Sequence, residues 1–210
     1  MFDTIAFDVD GTLLDSQAAD GRSLQKTLLD CTGRQYTLEE LECCFSMTSR
    51  DVMEHFGVAD VEEGIRHWNT VLYRDFGHLI RLFDGIALLL QALKSKGFRL
   101  GLITSRSRHE LVLAQKYFDA SLFEASVTAD DVQFPKPNPE PMERFLSLLG
   151  SEPAHTLYIG DTLGDLRCAK DAGTSFALAT WSGVDHSGIP ADYVVHYPRE
   201  ILALLEALER

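Results

Sequence analysis

FDVDGT, residues 7–12, ends the short apolar segment with which the chain begins. An apolar run of this length, followed at once by acidic residues and a glycine, predicts a buried strand that stops at a loop. Two carboxylates spaced by two residues, where a strand ends, can lie on the same side of the backbone. Asp8 and Asp10 therefore need a nearby cation or a shared proton.

Strand and helix patterns alternate after Asp84. The predicted helices cover 86–96, 107–117, 139–149, 163–172 and 198–208, and the predicted strands cover 99–103, 123–127, 156–159, 175–178 and 193–195. Alternation of this kind implies an α/β fold, a doubly wound parallel sheet covered by helices on both faces. In such a sheet, ligands bind beyond the carboxyl ends of the strands.

Residues 16–79 have a different pattern. Apolar residues recur at helical spacing, as in Leu24 and Leu28, and no convincing strand is found there. Because this stretch interrupts the alternation after the first strand, it predicts an inserted, all-helical cap domain. The core domain is then 1–15 and 80–210, with hinges at about 14–19 and 79–84.

Composition limits the possible partners. The chain has 32 acidic and 19 basic residues, a formal net charge of −13, which argues against nucleic acid and anionic membranes. Its four cysteines show no metal-ligand spacing and are expected to be reduced thiols. The longest apolar run is too short to span a bilayer. We expect a soluble, cytoplasmic protein, and a monomer or weak homodimer.

Two further acids follow the strand predicted over 156–159, within GDTLGD, residues 160–165. Asp165 lies one helical turn after Asp161, on the same face. Together, Asp8, Asp10 and Asp161 predict an all-oxygen site of the kind that suits Mg²⁺. The alternative is that each acid is a turn residue or a helix cap. The meeting of separate strand ends favours the metal site.

A phosphate site also needs donors, because a wholly acidic site repels an anion. Thr104 and Ser105 follow the strand predicted over 99–103 and are candidate phosphate-binding residues; the alternative is that they cap the next helix. Lys136 lies in FPKPNP, residues 134–139, where prolines restrict the backbone around a single lysine. That rigidity indicates a functional lysine.

These segments, in this order, resemble the motifs of the haloacid dehalogenase superfamily, and the helical insertion resembles the cap of its phosphoglycolate phosphatase and β-phosphoglucomutase subgroup. The resemblance implies that Asp8 is the nucleophile and forms an aspartyl-phosphate. Asp10 then protonates the leaving oxygen and later activates water. Thr104, Ser105 and Lys136 bind the phosphoryl oxygens.

The resemblance also implies the metal ligands. Mg²⁺ is expected to bind the Asp8 carboxylate, the backbone carbonyl of Asp10 and the Asp161 carboxylate. Asp165 is expected to lie outside the metal ligands and to orient Lys136. The second aspartate, Asp10, favours phosphate-ester chemistry, since the founding dehalogenases of the superfamily lack it.

Substrate choice is expected to depend on the cap. Arg50, within FSMTSRD at 45–51, is a candidate for binding a second anionic group of the substrate; the alternative is a solvated residue at a helix start. The leading prediction is an Mg²⁺-dependent phosphatase of a small metabolite, either phosphoglycolate-like or a sugar phosphate. A phosphosugar mutase is the alternative, although residues 17–27 lack the expected histidine. A non-catalytic binding protein is a third hypothesis, against which the intact catalytic set argues.

Overall fold

The computed structural model describes residues 1–184 and 186–208. Its strands in chain order are β1 (Thr4–Phe7), β2 (Leu14–Asp15), β3 (Arg81–Leu82), β4 (Arg99–Ile103), β5 (Ala125–Val127), β6 (Thr156–Gly160), β7 (Ser175–Ala179) and β8 (Tyr193–Val195). Its α-helices are α1 (Gln17–Thr32), α2 (Ser49–His55), α3 (Val61–Val71), α4 (Ile86–Ser95), α5 (Arg108–Ala114), α6 (Glu140–Leu149), α7 (Leu163–Asp171) and α8 (Glu200–Leu208).

Strand β1 lies at the centre of a six-stranded sheet with the order β5-β4-β1-β6-β7-β8. All neighbouring pairs are parallel, and Ile5 of β1 is in register with Leu100 of β4 and Leu157 of β6. The chain adds strands on one side of β1 and then returns to add them on the other. Such a reversal leaves a crevice at the carboxyl end of the central strand, where ligands bind in open α/β sheets.

Helices cover both faces of this sheet. On one face, α4 and α8 pack on Phe7, Leu100 and Ile159, and on the other, α6 and α7 pack on Ala6 and Tyr158. The doubly wound α/β fold predicted from the alternating pattern is confirmed. A glycine allows the close approach of α6: a Cβ at Gly101 would lie 2.1 Å from a ring carbon of Phe145.

The insertion forms an all-helical cap with its own apolar cluster. Residues of α1, α2, the 3₁₀ helix Glu39–Cys44 and the loop after α2 contribute to it, namely Leu24, Leu28, Leu41, Cys44, Val52, Met53 and Val58. Where the cap joins the core, β2 and β3 form a short antiparallel pair. We retain 16–79 as the proposed cap and 1–15 with 80–210 as the proposed core, since β2 and β3 lie at these two joints.

Several element boundaries differ from the sequence prediction by one to three residues. The helix predicted over 107–117 ends at Ala114 and continues as a 3₁₀ turn, Gln115–Tyr117. The strand predicted over 123–127 begins at Ala125, and the helix predicted over 198–208 begins at Glu200. None of the described helices has both the length and the apolar character that a bilayer crossing requires. All four cysteines are free thiols.

Candidate active site

The carboxyl ends of β1, β4 and β6, with the loop after β5, bring the predicted residues together. Two of these residues are anchored by hydrogen bonds that extend the sheet by one residue: the Asp8 N–H donates to the Ile159 carbonyl at 2.9 Å, and the Thr104 N–H donates to the Val127 carbonyl at 3.0 Å. Their positions therefore depend on the sheet register more than on loop conformation.

Lys136 lies between two carboxylates. Its Nζ donates to Asp8 Oδ1 at 2.8 Å and to Asp165 Oδ1 at 2.6 Å, and all three side chains are at most 7% exposed. Burial on its own lowers the pKa of Lys136, but the charges of Asp165 and Asp8 raise it well above its ordinary value. The lysine is therefore a fixed cation beside Asp8.

The oxygens of Asp165 are already occupied. Oδ1 also accepts from the Tyr158 hydroxyl at 2.8 Å, and Oδ2 accepts from the Thr162 N–H at 3.0 Å and the Thr162 hydroxyl at 2.6 Å. Burial raises the pKa of Asp165, but Lys136 and these donors lower it below its ordinary value overall. Asp165 therefore holds Lys136 and also caps α7, as the N3 residue of a capping box with Thr162.

Asp8, Asp161 and Asp165 each offer one oxygen within 4.8 Å of the others. Asp161 is buried, and among the described residues its carboxylate accepts one hydrogen bond, from the Thr12 hydroxyl at 3.4 Å. Burial, and then the charges of Asp8 and Asp165, raise the pKa of Asp161 well above its ordinary value. Burial likewise raises the pKa of Asp8 to about 7, against the opposing charge of Lys136.

The donor set of this cluster fits a hard divalent cation. A buried carboxylate with one weak donor, beside a second carboxylate, is stabilised when a cation binds between them. The loop after β1 approaches closely: a Cβ at Gly11, whose φ is +76°, would lie 2.1 Å from Asp161 Oδ2. Since Asp165 is committed to other donors, Asp8 and Asp161 are the carboxylates that remain for a metal.

Asp10 is bound by a basic residue that the sequence analysis did not single out. Arg106 donates from Nε to Asp10 Oδ2 and from Nη2 to Asp10 Oδ1, both at 2.7 Å, and the Ser16 hydroxyl donates to Oδ1 at 2.6 Å. Burial raises the pKa of Asp10, but Arg106 and Ser16 lower it overall. Arg106 also contacts the cap, through the Tyr73 hydroxyl at 3.3 Å and Asp20 at 3.8 Å.

Thr104 and Ser105, the two predicted hydroxyl residues after β4, do not cap the next helix. Ser107 caps α5, and Thr104 Oγ1 accepts from the Arg106 N–H at 3.2 Å, which leaves the hydroxyl proton of Thr104 for another acceptor. Ser105 lies at the interface with the cap, where its Oγ is 3.4 Å from the Ser46 carbonyl.

A cavity of 680 Å³ lies between these strand ends and the cap. Asp10, Asp161, Ser105 and Arg106 line it from the core. Helix α5 contributes Glu110, a buried residue that accepts from the Ser49 hydroxyl at 2.5 Å and from Asn69 Nδ2 at 3.3 Å. The cavity is large enough for a metabolite and is closed on one side by the insertion.

Residues 5–179 match a family model described as haloacid dehalogenase-like hydrolase. The chain belongs to this family. It is 31% identical to the pyrophosphatase PpaX of Anoxybacillus flavithermus, over 99% of this chain and 98% of that relative. The resemblance inferred from the motifs is thereby confirmed, as is the prediction of an enzyme of hydrolase type.

Solved structures share the architecture of this haloacid dehalogenase-like hydrolase. A candidate phosphoglycolate phosphatase from Lactobacillus plantarum superimposes with a TM-score of 0.86 at 27% identity, covering 97% of this chain and 99% of that one. A candidate β-phosphoglucomutase from Thermotoga maritima superimposes with a TM-score of 0.77 at 24% identity, over 99% of this chain and 100% of that one. At this identity the similarity shows only that the two proteins share a fold.

One predicted residue of this hydrolase lies away from the cluster. Arg50, on α2, pairs with Glu62, its side chain is 54% exposed, and it is not among the described residues that line the cavity. The structure therefore brings together Asp8, Asp10, Thr104, Lys136, Asp161 and Asp165, with Ser105 at the cap interface. It does not bring Arg50 to them.

Proposed function

We propose that this hydrolase is an Mg²⁺-dependent phosphatase that cleaves a small phosphate monoester through an aspartyl-phosphate on Asp8. The observation that supports this most strongly is the buried pairing of Asp8 with Lys136, beside the poorly satisfied carboxylate of Asp161. A carboxylate held next to a fixed cation can receive a phosphoryl group, whose negative charge the same cation then offsets.

In the first step, an Asp8 oxygen forms a bond to phosphorus while the bond from phosphorus to the leaving oxygen breaks. Lys136 and the Thr104 hydroxyl bind the phosphoryl oxygens, and Ser105 lies beside them at the cap interface. Asp10 gives its proton to the leaving oxygen, which requires the hydrogen bond from Arg106 Nε to Oδ2 to open while the bond from Nη2 to Oδ1 keeps the carboxyl group in position.

In the second step, water attacks the phosphorus of the aspartyl-phosphate, and Asp10 takes its proton. Phosphate leaves, and the Asp8 carboxylate is restored. Asp8, Asp161 and the backbone carbonyl of Asp10 would hold Mg²⁺, while Asp165 keeps Lys136 in position. When bound, the metal supplies positive charge that stabilises the transferring phosphoryl group.

The cap would exclude water during the first step. The proposed partner is a small phosphorylated metabolite, with the protein a monomer or weak homodimer. The free thiols support a cytoplasmic location. A mutase or a binding protein on this fold would release no phosphate over repeated turnover, which separates both from a phosphatase.

The test is phosphate release from p-nitrophenyl phosphate with Mg²⁺, with EDTA, and with the Asp8→Asn variant. We expect release that depends on Mg²⁺ and falls by roughly 10,000-fold in the variant, because the nucleophile is lost. Asp171→Asn, at an exposed residue that ends α7, is the control for the same chemical change. Near-normal turnover by Asp8→Asn would falsify the proposal.

A further inference from the structure

The cap side of the cavity offers an apolar surface to the part of the substrate beyond the phosphoryl group. The apolar side chains that the insertion contributes to the lining include Leu24, Phe45, Met47, Trp68 and Leu72. The indole N–H of Trp68 is already engaged, donating to the Ser23 hydroxyl at 2.9 Å. This wall favours carbon-bound hydrogen and ring surfaces over ionic groups.

The charges at the cap side are acidic. Asp20 of α1 and Glu42 of the 3₁₀ helix line the cavity, and Glu110 of the core faces the same side. Among the described residues that line the cavity, the basic side chains are Arg106 and His186, both from the core. A second anionic group of a substrate would therefore meet carboxylates of like charge.

Neither basic side chain is available to an anion on the substrate. The guanidinium of Arg106 makes two hydrogen bonds to Asp10 and lies 3.8 Å from Asp20. His186 is engaged at both ring nitrogens, with Nδ1 3.0 Å from the Asp161 carbonyl and Nε2 3.1 Å from the Ser182 hydroxyl. An anion that took Arg106 from these carboxylates would leave the partly buried carboxylates of Asp10 and Asp20 without their cationic partner.

We propose that the physiological leaving group is an uncharged alcohol with apolar surface, and that the cap discriminates against substrates that carry a second anionic group. Phosphoglycolate and pyrophosphate both carry such a group. This inference rests on the proposed phosphatase function, and it differs from what the names of the relatives suggest.

The first experiment compares two substrates that differ only in that charge. Phosphoglycolate and 2-hydroxyethyl phosphate share the same two-carbon skeleton, with a carboxylate in one and a hydroxymethyl group in the other. We expect kcat/KM with Mg²⁺ to be about tenfold or more higher for 2-hydroxyethyl phosphate, because the cap carboxylates repel the second charge. Pyrophosphate is expected to fall below 2-hydroxyethyl phosphate as well.

The second experiment removes one negative charge from the cap side of the cavity. Asp20→Asn should lower the preference for 2-hydroxyethyl phosphate over phosphoglycolate by about threefold or more, because it removes one repelling charge. Taking the ratio of the two kcat/KM values cancels any effect on the common chemical step. Glu42→Gln should shift the ratio in the same direction. The matched control is Asp30→Asn, the same change on the same helix at a residue that pairs with Lys26 outside the cavity; it should leave the ratio unchanged.

The possible failures are distinguishable. If phosphoglycolate or pyrophosphate is cleaved as well as 2-hydroxyethyl phosphate, or better, while p-nitrophenyl phosphate is also cleaved, the inference is overturned and the phosphatase stands. If the ratio of the two kcat/KM values is the same in Asp20→Asn and Glu42→Gln as in the wild type, the cap acids do not cause the discrimination. If no compound releases phosphate in the presence of Mg²⁺, the proposed function itself fails.

Discussion

The two ends of the active site are built in opposite ways. At the core end, Lys136, Asp8 and Asp165 are almost fully buried, are not among the described residues that line the cavity, and hold each other through short hydrogen bonds. At the cap end, apolar side chains stand beside Asp20 and Glu42, and the described cap residues that line the cavity include no lysine or arginine. The difference indicates that the chemistry depends on the sheet, whereas recognition of the leaving group depends on the insertion.

The two ends also differ in how strongly a substitution affects stability. A buried ion pair adds little net stability, since desolvation offsets most of the attraction, but removal of one partner is strongly destabilising. The core end is therefore sensitive to any single substitution. The cap end, where apolar contacts and partly exposed acids dominate, should tolerate substitution and change in selectivity instead.

After loss of the nucleophile itself, the largest effect is expected for Lys136→Met, which breaks the core end. Phosphate release should fall by about 100- to 1,000-fold, because a donor to the transferring group is lost. The free energy of unfolding should fall by about 3–5 kcal/mol, because Asp8 and Asp165 are left as uncompensated buried charges. Urea unfolding measures the second effect.

The control for that variant is Lys26→Met, which removes an exposed ion pair with Asp30 on α1. Its unfolding free energy should change by less than about 1 kcal/mol. Equal losses in the two variants would contradict the account of the core end.

A smaller effect is expected for Arg106→Lys, at the boundary between the two ends. Lysine keeps the charge but loses the paired hydrogen bonds to Asp10. We expect kcat to fall by roughly 10- to 100-fold, because Asp10 is no longer positioned, while KM changes little. Arg108→Lys, at an exposed neighbouring arginine, should leave kcat unchanged. A rise in KM at constant kcat would instead place Arg106 in substrate binding.

The cap end has a pH-dependent stability term at Asp20. Burial, against the opposing charge of Arg106, raises the pKa of Asp20 to about 6. The folded state therefore binds this proton more tightly than the unfolded chain, whose aspartates titrate near pH 4, so the wild type loses stability as pH rises between about 4 and 6.

The Asp20→Asn variant does not lose this stability as pH rises, because asparagine does not ionise. Its unfolding free energy relative to the wild type should rise between about pH 4 and 6 and level off above 7, by an amount on the order of 2 kcal/mol. Thermal or urea unfolding at pH 4 and pH 8 measures the change. A pH-independent difference between the two proteins would show that burial does not shift the titration of Asp20.

The smallest effect is expected for Arg50→Ala. Because Arg50 is half-exposed and pairs with Glu62 away from the cavity, kcat/KM should change by less than about twofold on every substrate. A loss confined to phosphoglycolate or pyrophosphate would restore Arg50 as a specificity residue. The same loss on all substrates would indicate a structural role for the α2 region.

Much of the core end was predictable from the sequence because several of its residues directly follow strands. Once parallel strands were predicted, Asp8, Thr104 and Asp161 had to meet at one edge, and the prolines around Lys136 marked its loop. Arg106 was missed because a run of polar residues, 104–110, follows β4, and the pattern does not show which of them turns inward. Its one sequence signal is its position next to Thr104 and Ser105.

The cap end was less predictable for a physical reason. Arg50 was a candidate because 45–51 lies where related proteins place a substrate-specificity loop, but the direction of its side chain depends on how α2 packs on α3, where Glu62 lies. Asp20 and Glu42 were not singled out, because acids on an amphipathic helix are most often solvated. Which of them face a cavity is decided by packing between elements distant in the chain.

The antiparallel pair of β2 and β3 has a consequence for the order of folding. Strand β1 must pair with β4 across the whole insertion, and the entropy of closing so long a loop slows folding. A cap that collapses first around its own cluster brings its two ends together at Leu14 and Leu82, and the remaining closure then involves only the segments 8–13 and 83–98. We expect the insertion to form early, acting as a local nucleus that lets the central strand find its neighbour.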